Sequence, residues 1–264
     1  MTIGLYNADK RLLKSLSAKI NIIDLDTSFP KLKGLFIDWI DTTNRKKPSK
    51  KFAHQAALIS YYSKKNIPIM IYDRHMCITQ KELKWLKKFY AHLFEPALNN
   101  RKDFEYLPYC IELDDNKLLD YEGGREYHLG HIGLQTDSFE KYYVGHREKF
   151  PDSNFHYKVE NWEEIQYMVA IDSKHNYSIG YLNQNVIDAL EHGCMVLCPI
   201  EHKYYSNMFY GNVVGDINFI DYWMNMNHDM RIASIMGVYE NVKERYPEFT
   251  IGHWTKKIIE VFDK

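Results

Sequence analysis

Short apolar runs alternate along this chain with longer stretches of helical period. Residues 2–6, 20–25, 35–39 and 67–72 are rich in Ile, Leu, Phe and Tyr. They are too short for helices and unbroken enough to be buried on both faces, which predicts strands of a parallel sheet. Between them, residues 11–19 and 52–64 have helical spacing, and the second pairs a small face (Ala53, Ala56, Ala57, Ser60) with Leu58 and Ile59. Residues 79–98 read as a longer helix, with Leu83, Leu86, Phe89, Tyr90 and Leu93 on one side and lysines opposite. Residues 104–113 read as extended. The acidic stretch 114–126, with Gly123 and Gly124, reads as a hinge. Beyond it the pattern restarts. Strands are expected at 127–132, 155–157, 166–171 and 194–198, a turn at 162–164, and helices at 138–143, 218–227, 228–246 and 252–263. The fold class expected is α/β with two Rossmann-like domains. Their bounds are 1–113 and 114–250, with a helix at 251–264 returning to the first domain.

The stretch 176–200 (NYSIGYLNQNVIDALEHGCMVLCPI) is the most informative. It reads as a loop, a short helix capped by Asn183 or Asn185, a glycine stop at Gly193 and a buried strand. Backbone amides at such a helix start suit a diphosphate, and Asp188, one turn in, suits the hydroxyls of a ribose. The plainer alternative is a crossover helix with a surface acid.

Two other places invite chemistry. Asp73 ends the apolar run IPIMIYD, where an acid at the carboxyl end of a buried parallel strand faces the ligand crevice of α/β sheets. There it is placed to take a proton from a hydroxyl, or simply to cap the next turn. Gly130-His131-Ile132-Gly133 follows a strand as a glycine-containing loop, a phosphate cradle or a plain turn. His128 and His131 find no further ligands at zinc spacing, so no metal site is expected.

Composition narrows the class. Apolar residues make up 45% and charges 26%, ordinary for a globular protein, while aromatics at 15% with 21 Tyr fit thick cores or stacking surfaces. No apolar run is long enough to span a membrane, and MTIGLYN charges too soon for a signal peptide. Cys77, Cys110, Cys194 and Cys198 lack zinc spacing and suggest a reducing cytoplasm. The net charge of -1 hides a split: residues 1–110 hold 20 Lys+Arg against 10 Asp+Glu, and the remainder holds 14 against 25. A basic half implies a polyanionic partner, with Arg45, Lys46, Lys47, Lys50 and Lys51 as candidate phosphate contacts.

Taken in order, these residues resemble the DNA β-glucosyltransferases of T-even-type bacteriophages. The run from Ala56-Ala57-Leu58-Ile59-Ser60 to Asp73 is similar to that family's helix and strand leading to its catalytic aspartate. Phe104-Glu105-Tyr106-Leu107-Pro108 is similar to an F-E-Y-F-P run there. Asn176-Tyr177 through Leu190 is similar to its loop and the helix bearing a ribose-binding acid. The resemblance implies a two-domain glycosyltransferase of the GT-B type, acting as a monomer. It would move glucose, or a pentose such as arabinose, from a UDP-sugar to the hydroxyl of a 5-hydroxymethylcytosine-like base in double-stranded viral DNA, by a single inverting displacement. Asp73 becomes the general base, with Arg74 and Glu112 near the acceptor and sugar, and Asp188 the ribose ligand. Tyr157 and Val159 face the uracil. Gly130, His131, Gly133, Gly180, Tyr181 and Asn185 lie in the diphosphate loops, with Lys174 nearby. The family's diphosphate loop carries arginines, whereas residues 130–138 carry none. His131, Asn185 and Lys174 are the substitutes available. No metal is needed for the chemistry, while Mg or Mn would assist UDP release. The alternatives are a GT-B enzyme acting on a cell-envelope glycan or lipid, and a non-catalytic nucleic-acid-binding protein.

Overall fold

The structure is a computed structural model that describes residues 1–8, 10–26, 28–40, 50–113, 125–132, 140–144, 148, 155–156, 159–209, 212–214, 222 and 225–263. The chain forms two compact units, Met1–Cys110 with Ile251–Lys264, and Ile111–Thr250. The first division falls ahead of the acidic stretch, of which 114–124 lie outside the described residues, and it leaves Glu112 in the second unit.

The first unit comprises β1 (Thr2–Tyr6), α1 (Lys10–Ser17), β2 (Asn21–Asp24), β3 (Gly34–Asp38), α2 (Lys50–Ser63), β4 (Ile69–Tyr72), α3 (Gln80–Leu86), β5 (His92–Glu95) and β6 (Glu105–Tyr106). A last helix, α7 (Ile251–Phe262), joins from the far end of the chain. All strand pairs are parallel, in the order β2-β1-β3-β4-β5-β6. Every residue of β3 and β4 is buried, which is why these strands read as unbroken apolar runs. Their odd and even positions serve opposite faces. Leu35, Ile37, Ile69 and Ile71 pack with Leu58, Ile59 and Tyr62 of α2 and Leu83 and Leu86 of α3. On the other face Phe36 and Tyr72 meet the Trp254 ring of α7 at 6.2 and 4.9 Å between centroids. The Trp254 indole N–H donates to Pro108 O at 2.9 Å, so the ring is fixed as well as buried.

The helix expected over 79–98 is three pieces. Thr79 and Glu82 form a capping box at the start of α3. A 3₁₀ turn, Lys87–Phe89, follows, and Tyr90 then enters the left-handed region (φ 53°) and stops the helix. His92–Glu95 leaves as β5, pairing with β4. Tyr90, assigned to the apolar face by periodicity, is 91% exposed. The apolar pair Leu93-Phe94 fits either period, and pairing with β4 decides it.

The second unit comprises β7 (Tyr127–Gly130), β8 (Phe155–His156), β9 (Ile165–Val169), α4 (Lys174–Ile179), α5 (Gln184–Glu191), β10 (Met195–Pro199), β11 (Val213–Val214) and α6 (His228–Arg245). Three strands, β7, β9 and β10, carry its parallel sheet, with two-residue β8 and β11 at the edges in the order β11-β10-β9-β7-β8. Leu129, Tyr167, Val169, Met195 and Leu197 pack there with Ile235 and Tyr239 of α6. In sequence order, each unit lays its second strand outside the first, then steps the third to fifth off the other side. Both units are therefore parallel α/β structures compatible with a Rossmann-like fold. The helix expected at 138–143 is a single π turn over Glu140–Val144, and the one at 218–227 lies mostly outside the described residues. No helix among the described residues is long and apolar enough to cross a membrane.

The second unit begins and ends side by side. Ile111 N–H donates to Phe249 O at 2.7 Å, and Ile111 bridges Thr250 in parallel.

Gly34 opens β3 where a Cβ would stand 2.4 Å from the Phe262 ring of α7. Gly34→Val is expected to cost about 1–3 kcal/mol by overpacking. Urea unfolding monitored by tryptophan fluorescence measures it, and an unchanged midpoint would show that α7 is not docked there.

Candidate functional site

In a doubly wound sheet, ligands bind outside the carboxyl ends of the strands at the point where strand order reverses. In the second unit that point lies between β7 and β9, where the buried hydroxyl of Tyr143 holds the two strand ends. It accepts from Val169 N–H and lies 3.0 Å from both Gly130 O and Val169 O, either of which can take its proton. Burial pushes the pKa of this phenol well above its ordinary value, so it stays a neutral donor. The His131 ring packs on Tyr143 at 4.8 Å.

Helix α5 starts over this point. Asn183, one of the two candidate caps, accepts from Asn185 N–H at 3.0 Å. The Asn185 side-chain amide in turn donates to Ile132 O, just past the end of β7, at 3.4 Å. Asp188 follows one turn later, half-buried, with the Gln184 amide donating to its Oδ1 at 2.9 Å. The Asn185–Ile132 hydrogen bond thus brings Asn185 to the end of β7, where Gly130 and His131 also lie, and Asp188 stands one turn further along α5.

Several of the expected residues do different work. Gly130 is the last residue of β7 rather than part of a loop, and a Cβ there would meet Val159 and Ile165 at 2.7 Å. Its missing side chain serves core packing rather than approach to phosphate. His131 N–H donates to His156 O, and its carbonyl accepts from Val159 N–H, so this backbone continues the ladder instead of cradling an anion. Val159, expected to face a base, is 4% exposed and belongs to the core. Gly180 is the left-handed C-cap of α4 (φ 65°), and its carbonyl accepts from the Tyr205 hydroxyl at 2.9 Å. Residues expected as loop from 176 onward are the end of α4, capped by Ser173. Half-buried Tyr181 donates its N–H to Asn176 O. Lys174 opens α4 exposed, and Glu112 is exposed with its N–H donating to Glu191 Oε1 at 2.8 Å. Gly133 and Tyr157 lie outside the described residues.

The residue that sequence reasoning missed is Asp172, three positions beyond β9. Its Oδ1 accepts from Ser173 N–H at 2.7 Å and Asn176 Nδ2 at 2.6 Å, and its own N–H donates to the Tyr177 hydroxyl at 2.8 Å. Burial pushes its carboxyl up, partly offset by hydrogen bonds from Ser173, Asn176 and Asn183. The signal was available: an acid at the end of a buried strand run, the same cue that singled out Asp73.

In the first unit, Asp73 follows β4 and has no exposure. Its Oδ1 accepts from Cys77 N–H and its Oδ2 from Ile78 N–H, both at 2.9 Å, and Arg101 Nη2 donates to Oδ2 at 2.5 Å. Arg101 also pairs with buried Glu95 at 2.6 Å and lies 3.9 Å over the Phe104 ring. Burial works against this guanidinium, but the hydrogen bond to Asp73 and the charges of Asp73 and Glu95 outweigh it and raise its pKa. As folded, Asp73 holds a turn and anchors an ion-pair triad of two buried carboxylates and a partly exposed arginine. Arg74, expected to meet DNA, pairs with buried Asp38 at the end of β3. Lys50 and Lys51 are exposed in the first turn of α2, whereas Arg45, Lys46 and Lys47 lie outside the described residues. Among the described residues no group of three His, Cys, Asp or Glu is placed to hold a metal ion.

No protein-family model matches this chain, and no curated protein matches it.

Two measurements check this electrostatic picture. Arg101→Met leaves two buried carboxylates without their cation and is expected to cost on the order of 3 kcal/mol in urea unfolding; a loss below about 1 kcal/mol, the value of an exposed pair, would mean the triad is open to water. His202, 1% exposed between Tyr177 and Tyr205, has its pKa pushed down from 6.5 to about 4, chiefly by burial. The unfolded chain therefore takes up this proton first. The stability His202 contributes is complete above about pH 6.5 and is lost as pH falls towards 4, by on the order of 3 kcal/mol. The wild type should lose that much more than His202→Gln between pH 7 and pH 4, and parallel curves would place His202 in water.

Proposed function

We propose that the protein is a nucleotide-sugar-dependent glycosyltransferase of the GT-B type. The second unit holds the donor, and the basic first unit receives DNA carrying a hydroxylated pyrimidine. The observation that supports this most is the Asn185–Ile132 hydrogen bond, which sets the start of α5 over the strand-order reversal between β7 and β9. A diphosphate there gains from helix amides and dipole. Asp188, half-buried and steadied by Gln184, is the carboxylate we assign to the hydroxyls of a ribose. UDP is the nucleotide proposed, with glucose or a pentose such as arabinose as the sugar. Twin parallel α/β units of one strand order also suit this class. Acceptor affinity is electrostatic in this reading and falls steeply with salt, and a base within a duplex is flipped out before reaction.

In this mechanism a carboxylate of the first unit takes the proton of the acceptor hydroxyl as its oxygen attacks the anomeric carbon, and the UDP oxygen departs from the opposite face with the bonding pair. Asp73 fills that role only if Arg101 releases it. The closed carboxylate favours a second reading, a nucleic-acid-binding protein without turnover. Asp73→Asn separates them. As the base, its loss removes turnover by several orders of magnitude while donor binding persists. As a turn anchor alone, it costs stability and leaves the turnover of the folded fraction unchanged.

Thermal shift tests the donor site. A nucleotide sugar at a hundred times its dissociation constant adds roughly 2.7 kcal/mol, a shift of several degrees for a chain of this size. UDP-glucose, UDP-arabinose, UDP-xylose and GDP-sugars are the probes. One of them should shift the wild type and lose most of its effect in Asp188→Ala; no shift with any of them would sink the donor assignment.

A further inference from the structure

The outer face of α2 is basic and aromatic. This helix of 14 residues contains no Asp or Glu. Lys50, His54, Ala57, Tyr61 and Lys65 recur at the spacing of one helical stripe, roughly 20 Å long, with the last residue in the turn just past α2. Phe29, from the segment between β2 and β3, lies along that stripe. Its ring meets His54 at 5.6 Å and Tyr61 at 4.7 Å, both edge to face, and remains 38% exposed. His54 continues the row to Tyr6 at 5.3 Å, at the carboxyl end of β1. Four rings thus run from the surface to the point where the strand order of the first unit reverses.

The row is bordered by positive charge. Lys31, Lys50, Lys51, Lys64 and Lys65 are all exposed, and none forms an ion pair with a described residue. The Lys65 ammonium sits 4.2 Å over the Tyr61 ring and donates to its hydroxyl at 2.5 Å. Asp38, the nearest acid of β3, is buried against Arg74. Lys50 and Lys51 occupy the first turn of α2, where the helix dipole disfavours a cation and favours an anion.

We propose that this face docks single-stranded nucleic acid, with bases stacking on the Phe29–Tyr61 row and phosphates on the flanking lysines. Aromatic faces accept any base, and lysines track a backbone without reading sequence, so the surface selects strand state rather than sequence. A duplex hides its base faces and offers the row only phosphate. The inference rests on the acceptor reading only in taking nucleic acid as the partner, and binding without donor tests it separately.

The test is fluorescence anisotropy with a labelled oligothymidine of about twelve nucleotides, within the range of such sites, against a duplex of equal length, in donor-free buffer. The oligothymidine is expected to bind more tightly than the duplex. Phe29→Ala should weaken it at least fivefold, the low end for loss of one base–aromatic stack, while Phe29→Trp restores it. Lys50→Ala and Lys65→Ala should each lower the log–log salt slope by about 0.7. Unchanged thermal melting establishes that each variant is folded. Duplex bound as tightly as the single strand, or a folded Phe29→Ala that binds like the wild type, overturns the proposal. Phe29-dependent binding without glycosyl transfer leaves it standing while the enzymatic reading falls; transfer to duplex with no Phe29 dependence does the reverse.

Discussion

A parallel strand cannot be joined to its neighbour by a tight turn; the chain must cross back over the sheet before it can pair again. Much else in this molecule follows from that constraint. The crossovers cover both faces of the first sheet, so β3 and β4 contain no exposed residue. Strand ends and helix starts gather at one edge. Where the first and third strands diverge, backbone groups have lost their ladder partners. In the second unit the Tyr143 hydroxyl serves Gly130 and Val169 there, and the Asn185 amide serves Ile132. In the first unit Asn7, itself left-handed (φ 57°), donates to Asp38 O at 3.1 Å. Polar side chains collect at these places because the topology leaves backbone groups for them to satisfy.

The same requirement explains why ligand chemistry and structural chemistry look alike in the sequence. Asp73 and Asp172 both follow buried strands, and both spend carboxylate oxygens on backbone N–H groups of the succeeding turn. Position at a strand end locates a polar group near the crevice, but hydrogen-bond partners decide whether it is open to a ligand. Asp188, on the helix rather than the turn, is held by the Gln184 amide and remains half-buried.

What could be read in advance follows from how local each signal is. β1, β4 and β9, and the helices α2, α5, α6 and α7, stood out because apolar runs and helical stripes are carried by neighbouring residues. β5 was hidden in an apparent helix, because Leu93 and Phe94 suit either period and the break depends on Tyr90 turning left-handed. The sequence suggests phosphate loops at Gly130 and Gly180 and a base-facing Val159, yet the two glycines answer to something distant in sequence: Val159 and Ile165 beside Gly130, and Tyr205 beside Gly180. Such partners leave no mark on the residues around a glycine. Asp172 was legible by the cue that found Asp73.

The Ile111–Thr250 bridge has a consequence for biosynthesis. The second unit is an insertion within the first, entering and leaving through adjacent residues. While residues 111–250 are being made, the first sheet stands without α7, and Phe36 and Tyr72 lack the Trp254 ring that later covers them. The inserted unit is complete before its host. Until α7 docks, the first unit therefore keeps an open apolar face, which makes that interval the point of greatest exposure to chaperones and aggregation.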